Sequence, residues 1–142
     1  MVKKELRSKN PNTIDLLTGA IVLNNIPIVK KLLAHSDVID VNAKDSHNNL
    51  PIFVCVNLGR IECLRLLLQH NANPDITDNL GRSPLIYALR KDYIKNRYLI
   101  VKELCKHCDV NFVSNQGTAM FIAKSLRRPI YLTLLKKYGA KC

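Results

Sequence analysis

The sequence predicts an all-α solenoid of stacked helix-turn-helix units with hairpin-like loops between them. A turn followed by a helix start recurs, with Pro51 and Pro84 33 positions apart and Ala88 and Ala123 35 positions apart. A Leu-rich second helix recurs with the same spacing. The 142 residues hold four such units, and about three are needed before stacked repeats are stable. No single unit can bury its own apolar face, so the core must form between neighbours.

The third unit carries the clearest turn and helix start. Asp78-Asn79-Leu80-Gly81 favours a turn, because Asp and Asn are turn residues and Gly81 adopts a positive φ without steric cost. Ser83 can then accept a hydrogen bond from the first helical turn. Pro84 follows at the first helical position, where its missing N–H costs nothing. We therefore predict a helix that begins at Pro84.

The neighbouring units repeat this pattern. Residues 45–52 align with 78–85, and Asn115-Gln116-Gly117 repeats the turn. The second helix has its clearest copy in 59–73, with further copies in 26–35, 100–107 and 130–140. A fixed period of this length indicates a solenoid rather than a single globular core.

These features resemble the ankyrin repeat, in which a helix opened by Thr-Pro-Leu-His-x-Ala follows a turn and precedes a Leu-rich helix. The resemblance covers about residues 11–142. The His of the opening motif is replaced by Phe53, Ile86 and Phe121. Because that His normally ties the turn together, we expect these turns to be held more by packing than by hydrogen bonds. The first unit also lacks the Pro, as an atypical terminal repeat can.

We predict a single ankyrin-repeat domain over 1–142, with 1–10 as an N-terminal cap. Its repeats span about 11–43, 44–77, 78–112 and 113–142, and the helices of the first lie near 13–24 and 27–35. Repeat three carries about four extra residues between its helices, within 90–98. We expect this insertion on the edge opposite the hairpin tips. The last helix places Lys136, Lys137 and Lys141 where a capping helix faces solvent.

The formal net charge of +11 is unevenly distributed, since no Asp or Glu follows Asp109. Such a field attracts partners with an acidic surface. It also suits a solvated face that only keeps a repeat protein soluble, and both interpretations remain open. No apolar run approaches ~18 residues, and the N-terminus lacks a secretory h-region. We expect a monomer in the cytoplasm, or in the cytosol or nucleus of a host cell.

Two groups of residues could suggest a metal site. His35, His70 and His107 fall at the same place in three repeats, roughly 10 Å apart if helices stack. That separation is too large for one metal with ligand distances of ~2 Å. Cys105 and Cys108 have Cys-x-x-Cys spacing, but they fall at a helix C-terminus, which does not favour a reactive thiolate. We predict no metal and no cofactor.

Catalysis is not predicted either. The sequence lacks a nucleophile elbow and a phosphate-binding loop. Its carboxylates are scattered through loops, with no pair placed for acid–base work. They include Asp40, Asp45, Asp75, Asp78 and Asp109. No catalytic residue is predicted, and the chain is not expected to be an enzyme.

The resemblance implies a protein-binding module whose hairpin tips and first helices form a concave face. Carried over by position, that face comprises Ser46, His47, Asn49, Asn57, Leu58, Asn79, Leu80, Arg82, Arg90, Lys91, Asn115, Gln116, Ser125 and Leu126. Three of these are Leu, which can be contact centres or can simply pack on neighbours.

Two alternatives remain. A basic C-terminal face could bind nucleic acid or an anionic membrane, although sparse aromatic residues make nucleic acid unlikely as a partner. The chain could instead act only as a structural spacer within a larger assembly. By analogy, short ankyrin proteins of this composition include bacterial effectors and viral host-directed proteins.

Overall fold

The computed structural model describes residues 11–35, 37 and 39–141, so the expected cap at 1–10 lies outside the described residues. Over the described part the chain is all-helical, with eight helices and no strand, and the predicted fold class is confirmed. The helices are α1 (Pro11–Val22), α2 (Ile26–Leu33), α3 (Pro51–Leu58), α4 (Ile61–Gln69), α5 (Pro84–Arg90), α6 (Arg97–Cys105), α7 (Ala119–Ser125) and α8 (Pro129–Lys137). They form four pairs, one in each predicted repeat.

The described residues up to Asn73 form one compact unit, here unit 1, and those from Pro74 onward form a second, unit 2. In unit 1, α1 packs on α2 and α3, and α4 packs on α2 and α3. Its core is made of large fully buried aliphatic side chains: Leu17, Ile21, Leu33, Ile52, Leu64 and Leu67. Cys55 and Cys63 are also fully buried.

Unit 2 repeats the same arrangement. Helix α5 packs on α6 and α7, and α8 packs on α6 and α7. Its fully buried side chains are Ile86, Leu89, Ile100, Leu104 and Met120. The predicted start of α5 is confirmed: Ser83 is the N-cap, its side chain accepts from the N–H of Ile86 at 3.3 Å, and Pro84 is the first helical residue.

One left-handed residue stands before the second helix of every repeat. These residues are Asn24, Gly59, Asn96 and Arg127, with φ of 53°, 68°, 56° and 52°. Gly takes this conformation freely, and Asn tolerates it better than most side chains. Arg127 is the exception, because its Cβ meets the steric cost that Gly and Asn reduce.

The turns before α3 and α5 are held by hydrogen bonds, so the expectation of turns held mainly by packing is wrong. One carboxylate oxygen of Asp45 accepts from the N–H groups of His47 and Asn49, at 2.9 and 2.8 Å. Asp78 accepts in the same way from the N–H groups of Leu80 and Arg82, at 3.0 and 2.9 Å. The first Asp of each turn supplies the tie that the missing motif His would give.

A second set of side chains joins successive repeats within each unit. Asn42 accepts from the N–H of Asn73 at 2.7 Å and donates to the carbonyl of Asn71 at 3.4 Å. In unit 2, Asn111 accepts from the N–H of Lys141 at 2.8 Å and donates to the carbonyl of Gly139 at 3.1 Å.

The equivalent residue between these two is Asp75. It accepts from the N–H of Asp109 at 3.0 and 3.2 Å, but a carboxylate has no proton to donate in return. We call Asn42, Asp75 and Asn111 the amide ladder.

Candidate partner-binding surface

In unit 1, the predicted contact residues lie at the two ends of α3. Ser46, His47 and Asn49 are exposed in the turn that precedes the helix. Asn57 and Leu58 are the last two residues of α3, and both are half-buried. The turn residues are therefore available to a partner, whereas Leu58 contributes part of its surface to packing.

Helix α1 braces this turn. The hydroxyl of Thr18 donates to Asp45 at 2.8 Å, and Asp15 accepts from the N–H of Ser46 at 2.7 Å. Burial raises the pKa of Asp45, but hydrogen bonds from the N–H of Asn49, the Thr18 hydroxyl and the N–H of His47 outweigh it, and the net pKa is lowered. The turn is thus presented on a fixed scaffold that depends on an ionised Asp45.

In unit 2, the turn before α5 presents a large apolar side chain. Leu80 is 56% exposed, and Asn79 beside it is exposed as well. Arg82 is different, because its Nε donates to Asp78 at 2.8 Å and both side chains are largely buried. Of the three predicted residues, Leu80 and Asn79 can meet a partner directly, and Arg82 fixes the turn.

Tyr87 is the centre of a cluster that sequence reasoning missed. The guanidinium of Arg82 lies 5.0 Å from the centroid of its ring, and the ammonium of Lys91 lies 5.3 Å from it. Burial, and then the hydrogen bond with the side chain of Tyr93, raise the pKa of Tyr87 to about 12. Lys91 and the ion-paired Arg82 both lie near this ring, next to exposed Arg90.

The sequence held little signal for this cluster. Tyr87 occupies the x position of the helix-opening motif, between Ile86 and Ala88, where the motif fixes no residue type. Tyr93 lies in the insertion, for which the repeat pattern offers no template.

In repeat four, the predicted residues are dispersed. Asn115 is exposed beside the turn of repeat three, close enough that a Cβ on Gly81 would lie 3.1 Å from its Oδ1. Ser125 turns back on its own helix and donates to the carbonyl of Phe121 at 2.9 Å. Gln116 is half-buried, and Leu126 is 38% exposed at the end of α7. Asn115 therefore lies next to the turn that carries Leu80.

The thiols and histidines of the described residues bear on the question of a metal site. Over the part of the chain that the structure describes, no group of three or more His, Cys, Asp or Glu is placed to hold a metal ion. Cys105 ends α6, as predicted, and a hydrogen bond with Cys108 lowers the pKa of Cys105. That bond and burial raise the pKa of Cys108. Among the described helices, none is long and apolar enough to cross a membrane.

Comparison with known proteins decides the family. The family model described as "Ankyrin repeats (3 copies)" matches residues 2–78, more than half of the sequence. The chain belongs to the ankyrin repeat family. Ankyrin repeats are in general protein–protein interaction modules. The family is also a non-enzymatic interaction fold.

Individual relatives agree with this assignment. The chain is 45% identical over 49 residues to ankyrin repeat domain-containing protein 13C-A of Xenopus laevis. The matched region covers 34% of this chain and 10% of that protein. The chain is 28% identical over 142 residues to the human transient receptor potential cation channel subfamily A member 1, covering 98% of this chain and 12% of the channel.

The putative ankyrin repeat protein YahD of Escherichia coli K12 is 33% identical over 90 residues, covering 60% of this chain and 44% of that protein. Relatives thus include bacterial proteins, and a mimivirus protein is among them too. The chain spans less than half the length of each of the three relatives described here.

Proposed function

We propose that this ankyrin chain binds a partner protein that carries an acidic surface, through the hairpin and first-helix face of its repeats. The observation that carries the proposal is the combination of an exposed Leu80 with the cluster of Arg82, Tyr87 and Lys91 behind it. An exposed apolar side chain beside positive charge offers a partner both an apolar contact and electrostatic complementarity.

The anchor is rigid before a partner arrives. Asp78 fixes the backbone of the turn through two N–H groups and fixes Arg82 through an ion pair. Because little ordering remains to be done on binding, more of the contact energy becomes available as affinity. We infer that an acidic side chain of the partner meets Lys91 and Arg90, while an apolar side chain packs on Leu80.

Modulation or inhibition of the partner, a cytoplasmic or host-cell location and a monomeric state remain predictions. The same is true of the alternative in which the basic surface binds nucleic acid or an anionic membrane. A bulk electrostatic attraction of that kind would weaken steeply with salt and would show no sequence preference.

The test is quantitative affinity capture with the double variant Leu80→Asp/Lys91→Glu. Lys91 is preferred to Arg82 because a change at Arg82 would also break the ion pair with Asp78. The matched control is Leu23→Asp, which places the same charge on another highly exposed Leu, in unit 1. Circular dichroism must first show that all proteins remain folded.

We expect at least one protein to be retained by the wild type and by Leu23→Asp but lost by the double variant. That protein is then purified, and its dissociation constant is measured with each variant. Retention of every captured protein by the double variant would refute the assignment of this face.

A further inference from the structure

A separate surface lies at the loop edge of unit 2, around the insertion of repeat three. The insertion follows α5 and is anchored by Ile94, whose side chain is buried. The guanidinium of Arg97 donates to the carbonyl of Asp92 at 2.9 Å, and Arg128, the N-cap of α8, forms an ion pair with the Asp92 carboxylate. The insertion is thereby tied to the helix pair of repeat four.

Three apolar side chains are exposed along this edge: Tyr98, Leu99 and Ile130, at 41%, 44% and 59%. We call them the edge patch. They lie on the first turns of α6 and α8, which pack on each other. The ring of Tyr98 lies 6.3 Å from that of Tyr131, the neighbour of Ile130, so the two turns are side by side.

Comparison with repeat two shows that an apolar side chain is not needed at this position of the second helix. Leu99 and Ile130 each stand three residues after the left-handed residue of their repeat. In repeat two the same position is Glu62, which is exposed and ion-paired with Arg65 at 2.7 Å. Packing therefore does not require an apolar side chain there, since a solvated carboxylate fits the same place.

The chain around the patch is strongly basic. Residues 92–102 hold one acid, Asp92, and three basic residues: Lys95, Arg97 and Lys102. Residues 124–128 hold no acid and add Lys124, Arg127 and Arg128. The charge of Asp92 is already engaged by Arg128. An uncompensated positive rim around three apolar side chains is complementary to an acidic, apolar ligand.

We propose that the edge patch is a second docking surface, which takes an acidic protein segment bearing bulky apolar side chains. Its apolar residues pack on Leu99 and Ile130, and its carboxylates face the surrounding lysines and arginines. A second copy of this chain is disfavoured as the occupant, because two edges of the same positive charge would repel. This inference is independent of the proposed hairpin face, since it uses other residues at the loops between helices.

The experiment selects a displayed library of random short peptides on the whole protein. Parallel selections use two variants. The edge variant is Leu99→Glu/Ile130→Glu, which places Glu, the residue type found at position 62, at both positions. The hairpin variant is Leu80→Asp/Lys91→Glu. Thermal unfolding confirms that each variant is folded. Peptides enriched on the wild type and the hairpin variant, but not on the edge variant, are synthesised and measured by fluorescence anisotropy.

We expect those peptides to combine Asp or Glu with large apolar residues, and to bind the edge variant at least tenfold more weakly. Their affinity for the hairpin variant should be unchanged, so this inference and the proposed function can fail separately. Failure to enrich such peptides, or equal affinity for the edge variant, would overturn the proposal. Two further results would also overturn it: edge-variant-sensitive binding to phosphatidylserine vesicles without peptide binding, or edge-variant-sensitive self-association in sedimentation equilibrium.

Discussion

The amide ladder predicts that the same chemical exchange has opposite effects in different repeats. Asn42→Asp and Asn111→Asp each keep the oxygen that accepts the N–H of the next repeat and remove the donated bond. The lost bonds run to the carbonyls of Asn71 at 3.4 Å and Gly139 at 3.1 Å. A neutral hydrogen bond contributes about 1 kcal/mol. The accepted bond becomes charge-assisted, which offsets part of this loss. We therefore expect a net loss of about 0.5 kcal/mol for Asn111→Asp and less for Asn42→Asp, whose donated bond is longer.

Asp75→Asn is the reciprocal change. The new amide can keep the accepted bond from the N–H of Asp109 and donate to the carbonyl two residues earlier, at His107, as the other two amides do. Loss of the charge-assisted character of the accepted bond offsets part of this gain. We therefore expect a smaller stabilisation, about 0.5 kcal/mol.

Net charge alone would change the free energy of unfolding in the opposite direction for each of the three variants. In a chain of net charge +11, an added carboxylate reduces self-repulsion and a removed one increases it. Urea unfolding followed by far-UV circular dichroism measures the change in the free energy of unfolding for all three variants. Stabilisation by the two Asn→Asp changes together with destabilisation by Asp75→Asn would show that net charge, and not the ladder, controls stability.

Three further predictions concern single backbone or side-chain features. Arg127→Gly should raise the free energy of unfolding by about 0.5–1 kcal/mol, because φ is +52° there. The control Arg127→Ala keeps the Cβ and should not raise it. Equal effects of the two changes in urea unfolding would exclude backbone strain as the cause. The folded-state pKa of Asp45 lies below its ordinary value of 3.8, so the stability it contributes is present above about pH 4 and is lost as pH falls through the folded pKa. In thermal unfolding measured against pH, Asp45→Asn should be less stable than the wild type at pH 7 and less sensitive to acid. Parallel pH profiles for the two proteins would contradict this. Gly81→Ala should lower the free energy of unfolding by about 1–2 kcal/mol, because φ is +72° and the new Cβ would lie 3.1 Å from Asn115. Adding Asn115→Gly should recover only the part of this loss that comes from the contact with Asn115. Full recovery would show that the backbone conformation costs nothing.

The repeat pattern predicted what local chemistry controls. Ser83 and Pro84 mark the start of α5 because capping and a fixed φ act within one turn, and Gly81 has the positive φ that the turn requires. Cys55 is buried because it aligns with Ala88, which is buried in the next repeat. Each of these conclusions needed only neighbouring residues and the repeat period.

The remaining features depend on pairs that are distant in sequence. Asp92 and Arg128 are 36 residues apart, and one of them lies in an insertion that the repeat pattern does not describe. The hydrogen bonds of Asp78 were not predicted, because the repeat pattern assigns the tie in the turn to the motif His and not to the carboxylate that precedes it. Tyr87 was missed for a related reason: its importance comes from the cations near its ring and not from its own position.

The insertion of repeat three also bears on how the C-terminal part of unit 2 can come apart. A repeat of a simple solenoid contacts only its neighbours and can lose those contacts one after another. Here the helix pair of repeat four is held at two places, by Asn111 on the hairpin side and by the Asp92–Arg128 ion pair on the loop side. Detachment then requires both fastenings to open together, so amide hydrogen exchange in α7 and α8 should proceed as one cooperative opening.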